Sequence, residues 1–421
     1  MQSTLAKLAL CRTPALGAHR YHCAACQTTA TVYNSCGDRH CPTCAGARRA
    51  DWLDSAAQLL LDNVTYYQVV FTLPDTLSLL TLGNRKPLFD LLFHSAWQAL
   101  RQVLVDEHQF EPAAALVLHT WNQQLTPHVH VHAVVPGGGP ALTGKPRWIT
   151  SRRRSGPRLP GAYLVDADTL RATFRETYLA GLQRLHRRGE LRLTGDWAHL
   201  QDVAAFDEFL QPLREIDWVT FIQPPPGNGD GKPVASPAHV LKYLARYLTG
   251  GPISDRRLLA HDNGKVTFLA RTGKATGGSR EQHPVTLSGI EFVRRWSQHI
   301  LPKGCVKSRR YGGFSNRHRE RYLADCRALL PPSPEPDTSA GDTSAESETL
   351  IAGEPDTNTA DSPPMDAAGP TDRRAPACPA CGNRMQRLTA EPRPSWRDIM
   401  ASPHRPPWYA RPPSPAPPHP R

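Results

Sequence analysis

Polar and apolar residues alternate most sharply over Pro127-His128-Val129-His130-Val131-His132-Ala133-Val134-Val135-Pro136, which runs into Gly137-Gly138-Gly139. A period of two predicts a strand, and a strand sends residues two apart to one face. His128, His130 and His132 then project together, with Val129 and Val131 behind them. Upstream, Ala114 to Trp121 reads as another strand, and Asn122 to Thr126 is a short polar turn. The two are predicted to form a hairpin. Val64 to Leu73 is rich in Tyr, Val and Phe and stops at Pro74, which again reads as a strand. Short strand patterns recur at Trp218 to Ile222, Val266 to Leu269 and Pro284 to Leu287. Ala45 to Leu61, residues 86–106, Leu170 to His186, Ala204 to Arg214 and Ile290 to Ile300 repeat apolar positions at helical spacing. Helices mixed with hairpin strands predict an α+β fold around a central antiparallel sheet.

One further helix is predicted over about Pro237 to Leu248. Ser236 can cap it, Pro237 suits its first turn, and Gly250 can stop it. Tyr243 and Tyr247 are four apart and share a face. Leu241, Leu244, Ala245 and Leu248 form a separate apolar stripe, so packing does not demand the tyrosines. They lie on the side that carries His239, Lys242 and Arg246.

After Leu330 the pattern collapses into Pro, Ser, Thr, Asp, Glu and Ala, the composition of a disordered linker. Residues 331–370 hold nine acidic side chains and no Lys or Arg, while the chain of 421 residues carries a net +12. The folded body is therefore more basic than the total, which points toward nucleic acid. Arg152, Arg153 and Arg154 in one loop, with Arg309 and Arg310 near the end of the body, are candidate phosphate contacts. Tyr311 and Phe314 beside them could stack on bases. No basic leader precedes a long apolar run, and no stretch of about twenty apolar residues exists. The expectation is a cytoplasmic protein with no membrane partner.

Six of the ten cysteines fall in the first fifty residues. Cys23-x2-Cys26 and Cys41-x2-Cys44 are separated by fourteen residues, close to the usual four-cysteine zinc spacing. A structural Zn²⁺ is expected to supply folding energy that so small a module lacks. Cys36 and His40 between the pairs, with Cys11 and His19 before them, either replace a ligand, complete a second site or are ordinary buried residues. Cys378-x2-Cys381-Gly382 looks like half of a zinc knuckle with no second pair nearby. Pairing in trans and an inert remnant are both open readings. The expected organisation is a zinc module over 1–50, a catalytic domain over 51–328, an acidic linker over 329–374, and the Cys-x2-Cys remnant with a Pro- and Arg-rich tail over 375–421.

Imidazoles along one strand suit a metal, because neutral His is a common ligand. A tyrosine hydroxyl can attack a phosphodiester and form a covalent phosphotyrosine. With a pKa near 10, only roughly one phenol in a thousand is ionised at pH 7, so the reaction needs help. A divalent cation can orient the phosphate and stabilise its charge. Mn²⁺ accepts nitrogen ligands more readily, while Mg²⁺ prefers oxygen.

His130-Val131-His132 followed by an apolar run, with Tyr243-x3-Tyr247 downstream, resembles the HUH endonuclease superfamily. Tyr33 to Cys44, Val70 to Pro74, Leu118 to Trp121, His130 to Gly139, Tyr243 to Tyr247, Leu301 to Gly304 and Arg310 to Gly312 are similar to the IS91-type rolling-circle transposases. The likeness runs in consistent order over about residues 10 to 320. It implies an HUH domain with a ferredoxin- or RRM-like sheet and His130 with His132 as ligands for Mg²⁺ or Mn²⁺. It also implies Tyr243 and Tyr247 as nucleophiles that nick and join single-stranded DNA at element ends. Arg246, between the tyrosines, becomes a DNA contact. The protein would be bacterial and would associate with the nucleoid when it acts. His128 is the first candidate for a third metal ligand; His119 on the hairpin partner and an acid or amide elsewhere are the others. Two positions depart from the family pattern: Gln223 stands where Lys is frequent, and Gly250-Gly251 where His-Arg is frequent. Neither removes a ligand or nucleophile. A zinc deaminase is excluded, since no Glu follows His130-x and the cysteine pairs precede it. A replication initiator or relaxase of the same superfamily, and a non-catalytic zinc-dependent DNA-binding protein, are the alternatives.

Overall fold

The computed structural model describes residues 2–44, 56–151, 153–154, 161–223, 227–228, 232–233, 251–271, 281–330 and 375–401. Outside them lie most of the helix expected over 45–61, the whole helix over 237–248 with Tyr243, Arg246 and Tyr247, and Arg152. The acidic linker from 331 and the end of the tail lie outside them too. The chain divides into two units. The smaller joins residues 4–36 with the described carboxy-terminal residues, and the larger lies within 37–331. The division therefore falls near residue 36 rather than 50, and residues 375–401 belong to the amino-terminal unit rather than to a separate tail.

In the smaller unit, helix α1 (Gln2–Ala9) precedes strands β1 (Ala18–His22) and β2 (Thr29–Tyr33), an antiparallel hairpin with Ala18 opposite Tyr33. The larger unit opens with β3 (Tyr66–Thr72), α2 (Asp75–Gly83), α3 (Arg85–His108), β4 (Ala113–Trp121) and β5 (Pro127–Pro136). The strand expected over 64–73, the helix over 86–106 and the hairpin of 114–121 with the histidine strand are all present. Helix α2 was not expected, because its apolar positions are too few to declare a period. It is held from without: Leu77 and Leu80 are buried, and Ser78 Oγ accepts the N–H of Val129 at 3.1 Å.

Short strands β6 (Gly138–Pro140) and β7 (Trp148–Thr150) pair next. They explain the glycine run. A Cβ on Gly138 would stand 2.5 Å from the Ile149 carbonyl oxygen, and one on Gly139 would stand 2.4 Å from that of Glu111. Helices α4 (Ala167–Arg187) and α5 (Val203–Glu215) follow, each capped by an aspartate, Asp166 and Asp202, accepting an N–H three residues on. Then come β8 (Thr220–Gln223), a meander of β9 (Leu258–Asp262), β10 (Lys265–Ala270) and β11 (His283–Ser288), helix α6 (Gly289–Ser297), β12 (Ser308–Gly312) and α7 (Arg319–Leu329).

The central sheet has the order β8-β3-β5-β4-β12, antiparallel throughout. The histidine strand β5 is thus its middle strand. Val69, Phe71, Leu116, Leu118, Val129, Val131, Ala133 and Val135 turn to one side and are buried with the apolar faces of α3 and α4. Phe71, Phe174, Tyr178 and Trp218 cluster there, with Phe71 and Phe174 centroids 4.8 Å apart. Since side chains alternate, the same register forces Gln68, His119, His130 and His132 to the other side. The hydrophobic core thereby decides which way the histidines point.

The smaller unit is completed by β13 (Gln386–Ala390), which pairs with β1, and by α8 (Trp396–Ala401).

Candidate metal centre

The register of the β4–β5 hairpin sets His119 directly opposite His130. His132 lies two residues along the same strand, on the same face. One ring nitrogen from each of His119, His130 and His132 can be chosen so that all lie within 4.8 Å of one another. Their ring centroids are 5.3 Å apart for His119 and His130, 4.7 Å for His119 and His132, and 4.9 Å for His130 and His132. The third imidazole is therefore His119, not the first-choice His128. His128 stands one step outward, where its Nδ1 is 3.9 Å from an Asp75 carboxylate oxygen, and it is more exposed. The reason is register: His119 pairs with His130 at the end of the regular run of Ala115 to His119 against His130 to Val134, which sets the β4 imidazole beside His130 and His132.

Each strand histidine is oriented by its Nδ1. That of His130 lies 2.9 Å from the His128 carbonyl oxygen, so it carries a proton and donates. Nε2 of His130 is then a lone pair, as a metal requires. His132 Nδ1 lies 2.8 Å from the Gln68 amide, itself buried on β3. Amide orientation is a matter of hydrogen-bond logic. The atom placed there is Gln68 Nε2, which donates to Nδ1; with the amide turned over, its oxygen would instead accept Nδ1–H and give His132 the same tautomer as His130. Burial holds His130 well below the usual imidazole range, with His132 and His128 adding to the effect. Burial, then the charge of Lys307, brings His132 down to about 4. Both are neutral at physiological pH, the form that binds metal. Among the described residues the group is all imidazole, with no carboxylate joining it. These three side chains fit one divalent cation.

Neighbours shape this face further. Trp121 stacks on His119 with centroids 4.8 Å apart, and the Lys307 ammonium lies 5.2 Å from the Trp121 ring centroid. Burial lowers Lys307 to about 8, with Arg39 adding to it, so it is still largely charged at pH 7. Sequence reasoning missed Lys307 and Gln68. Gln68 had a signal, a lone amide in the apolar strand Tyr66 to Thr72; Lys307 had none. His299 is buried under the hairpin turn, its Nδ1 3.1 Å from Thr120 Oγ1 and its Nε2 3.1 Å from the Leu125 carbonyl oxygen.

The arginines and aromatics expected at the nucleic acid fare differently. Arg309 is held by the Asp90 carboxylate and lies over the Phe93 ring, 4.4 Å from its centroid. Its charge is spent inside the fold. Arg310 is half-buried on β12, opposite Ala115. Tyr311 stacks on Trp97 at 5.4 Å, and Phe314 is buried. Both are packing residues rather than base-stacking platforms: Tyr311 lies on the paired strand β12, and Phe314, beyond its end, packs edge-on against Tyr322. Arg153 and Arg154 lie in a two-residue strand.

The cysteines regroup. The spacing pairs Cys23 and Cys26 with Cys41 and Cys44, whereas the structure closes the Cys23–Cys26 group with Cys378 and Cys381. Cys41 and Cys44 are both buried, in the larger unit. The Cys36 N–H donates to Cys11 Sγ at 3.4 Å. His40 is no ligand as placed: its Nδ1 meets Asp38 Oδ1 at 3.0 Å and its Nε2 accepts the Leu301 N–H at 3.1 Å.

Residues 114–321 match the protein family described as "Putative transposase", and residues 1–73 match the "Transposase zinc-binding domain". A "Putative transposase y4qJ" from Sinorhizobium fredii is 38% identical over 323 residues, 76% of this chain and 76% of that protein. The chain belongs to the IS91-type transposase family. Within it, the transposase for insertion sequence element IS801 from Pseudomonas savastanoi pv. phaseolicola is 28% identical over 76% of this chain and 72% of that one. No solved structure matches. Membership makes the chain an insertion-sequence transposase, a DNA-processing enzyme whose partner is DNA, with a zinc-binding domain at its amino terminus. All three histidines fall inside the matched transposase region. No described helix is long and apolar enough to cross a membrane.

Proposed function

We propose that this transposase nicks and rejoins single-stranded DNA at the ends of its insertion sequence by a rolling-circle-like route, with Tyr243 and Tyr247 as nucleophiles. The reading rests on one observation: three imidazoles meet on the middle strand of an antiparallel sheet and its hairpin neighbour, inside the region that matches the transposase family. His119, His130 and His132 hold the catalytic cation, and three nitrogen donors favour Mn²⁺ over Mg²⁺. When bound, the cation neutralises the phosphate and polarises it toward attack. The His128 carbonyl keeps the His130 ring in the metal-binding tautomer, and Gln68, with its amide turned oxygen-first, does the same for His132. A tyrosine Oη forms a bond to phosphorus as the P–O3′ bond breaks. The phenol proton leaves, the departing 3′-oxygen gains one, and a 5′-phosphotyrosine results. A later 3′-hydroxyl reverses these steps and rejoins a strand, since the phosphodiester energy is conserved. The second tyrosine allows a second strand event without release. Lys307, charged beside the imidazoles, offers an attraction for the phosphate. Arg152, Arg153, Arg154 and Arg246 add backbone contacts; Arg310 is a weaker candidate. Cys41-x2-Cys44 is a further thiol pair for structural zinc.

The test is nicking of single-stranded oligonucleotides from the element's ends with Mn²⁺. A covalent protein–DNA adduct is expected, and it disappears when Tyr243→Phe and Tyr247→Phe are combined. Undiminished cleavage by the double variant would refute the proposal and leave a DNA-binding role.

A further inference from the structure

We propose that Cys23, Cys26, Cys378 and Cys381 form one tetrathiolate zinc site that fastens the two ends of the chain together. Residues from the last tenth of the sequence thereby complete a zinc-binding domain that begins at its start. The matched zinc-binding domain spans only residues 1–73, so it includes half of these ligands.

The four thiols converge. All four Sγ atoms lie within 4.8 Å of one another. The close contacts run crosswise, Cys23 to Cys381 at 3.5 Å and Cys26 to Cys378 at 3.4 Å. The first cysteine of each pair meets the second of the other, which is two-fold pseudosymmetry. Four sulfurs gathered this way suit tetrahedral Zn²⁺.

The backbone repeats the match independently of the sulfurs. Both Cys-x2-Cys turns have the same hydrogen bonds. Cys23 N–H donates to the Thr28 carbonyl at 2.8 Å, and Cys378 N–H to that of Asn383 at 2.7 Å. Gln27 N–H returns to the Cys23 carbonyl at 2.8 Å, and Gly382 N–H to that of Cys378 at 2.9 Å. The residue after each second cysteine is left-handed, Gln27 at φ 60° and Gly382 at φ 77°. A glycine takes that conformation freely; a glutamine does so at a cost. The amide of Ala380 also points at Cys378 Sγ, 3.4 Å away. Such N–H···S bonds stabilise a thiolate. Two turns 355 residues apart therefore share one ligand-presenting shape.

The two segments are also joined by the β1–β13 ladder and by polar contacts such as Asn34 Nδ2 to the Glu391 carbonyl at 2.8 Å, but they share little buried apolar surface around the thiols. The buried cluster at this junction has four members, Tyr21, Cys23, Cys378 and Met385. Strand β13 is exposed along its whole length. It pairs with β1 through a bulge between Arg20 and Tyr21. A core this small needs a metal to be stable.

The experiment uses the full-length protein and counts zinc per chain by mass spectrometry. Cys378→Ser with Cys381→Ser is expected to lose one zinc equivalent. Cys23→Ser with Cys26→Ser loses the same one, and the four-serine variant loses no more than either pair. An unchanged zinc content after the carboxy-terminal substitutions, or additive losses from the two pairs, would overturn the proposal. Because a variant can misfold, the wild-type protein is also titrated with a chelator and its thiols are alkylated. All four cysteines should become reactive together as one zinc equivalent leaves. Exposure of Cys378 and Cys381 at a different zinc occupancy from Cys23 and Cys26 would overturn it equally.

Discussion

His299 offers a measurement of how tightly the histidine hairpin is held. Its imidazole is buried beneath the β4–β5 turn, with both nitrogens in hydrogen bonds to that turn. The neutral ring satisfies both: Nε2–H donates to the Leu125 carbonyl, and Nδ1 accepts from Thr120. Burial chiefly lowers its pKa to about 4 from an ordinary 6.5. The folded pKa is below the unfolded one, so the unfolded chain binds the extra proton as pH falls. Stability is then intact above about 6.5 and drains as pH falls toward 4. The differential is roughly 0.2 kcal/mol at pH 7 and about 2 kcal/mol at pH 5. The perturbation is His299→Gln, which cannot titrate. At pH 7 it should cost about 1–3 kcal/mol for impaired hydrogen bonds. Between pH 7 and pH 5 it should lose about 2 kcal/mol less than wild type, because the proton uptake is gone. Urea unfolding of the full-length protein at each pH reads both quantities by tryptophan fluorescence. Trp121, with its ring 5.9 Å from His299, is a local reporter. An equal loss between pH 7 and pH 5 in both proteins would show that His299 is not buried in neutral form, and the reasoning would fail.

Mn²⁺ titration by calorimetry separates the candidate third ligands. His119→Ala should lower affinity at least a hundredfold, whereas His128→Ala should change it only a few-fold; the reverse ranking would restore His128. Gln68→Leu keeps the side chain's bulk but removes the amide that orients His132. It should weaken Mn²⁺ binding by about 10–100-fold with little change in the circular dichroism spectrum, and unchanged affinity would sink the orienting role.

Much of the larger unit was legible along the chain because its elements have strong periods. Strand β3, helices α3, α4 and α5 and the β4–β5 hairpin lie close to where apolar spacing and turn residues predict them. Helix α2 was not legible, since its stability comes from packing Leu77 and Leu80 rather than from its own pattern. The base-stacking role expected of Tyr311 and Phe314 failed for a related reason. An aromatic next to arginines looks like a nucleic-acid platform until distant rings, Trp97 for Tyr311 and Tyr322 for Phe314, pack against it. Arg309 was misread likewise, because Asp90 is more than two hundred residues upstream and no local spacing links them.

The histidines and cysteines divide the matter most sharply. That His130 and His132 share a face follows from the two-residue repeat of a strand, which covalent geometry imposes on any sequence. The shape of each Cys-x2-Cys turn is local as well. Which groups those residues meet is not local. His119 replaced His128 because the hairpin register sets it opposite His130, and the valines buried behind the strand hold that register by their own packing. Cys23 and Cys26 found Cys378 and Cys381 because β13 lies along β1, a contact across nearly the whole chain. Local periodicity determined the ligands each segment could offer; tertiary structure alone decided which offers met, since long-range pairing is selected by burial and closure, not by spacing.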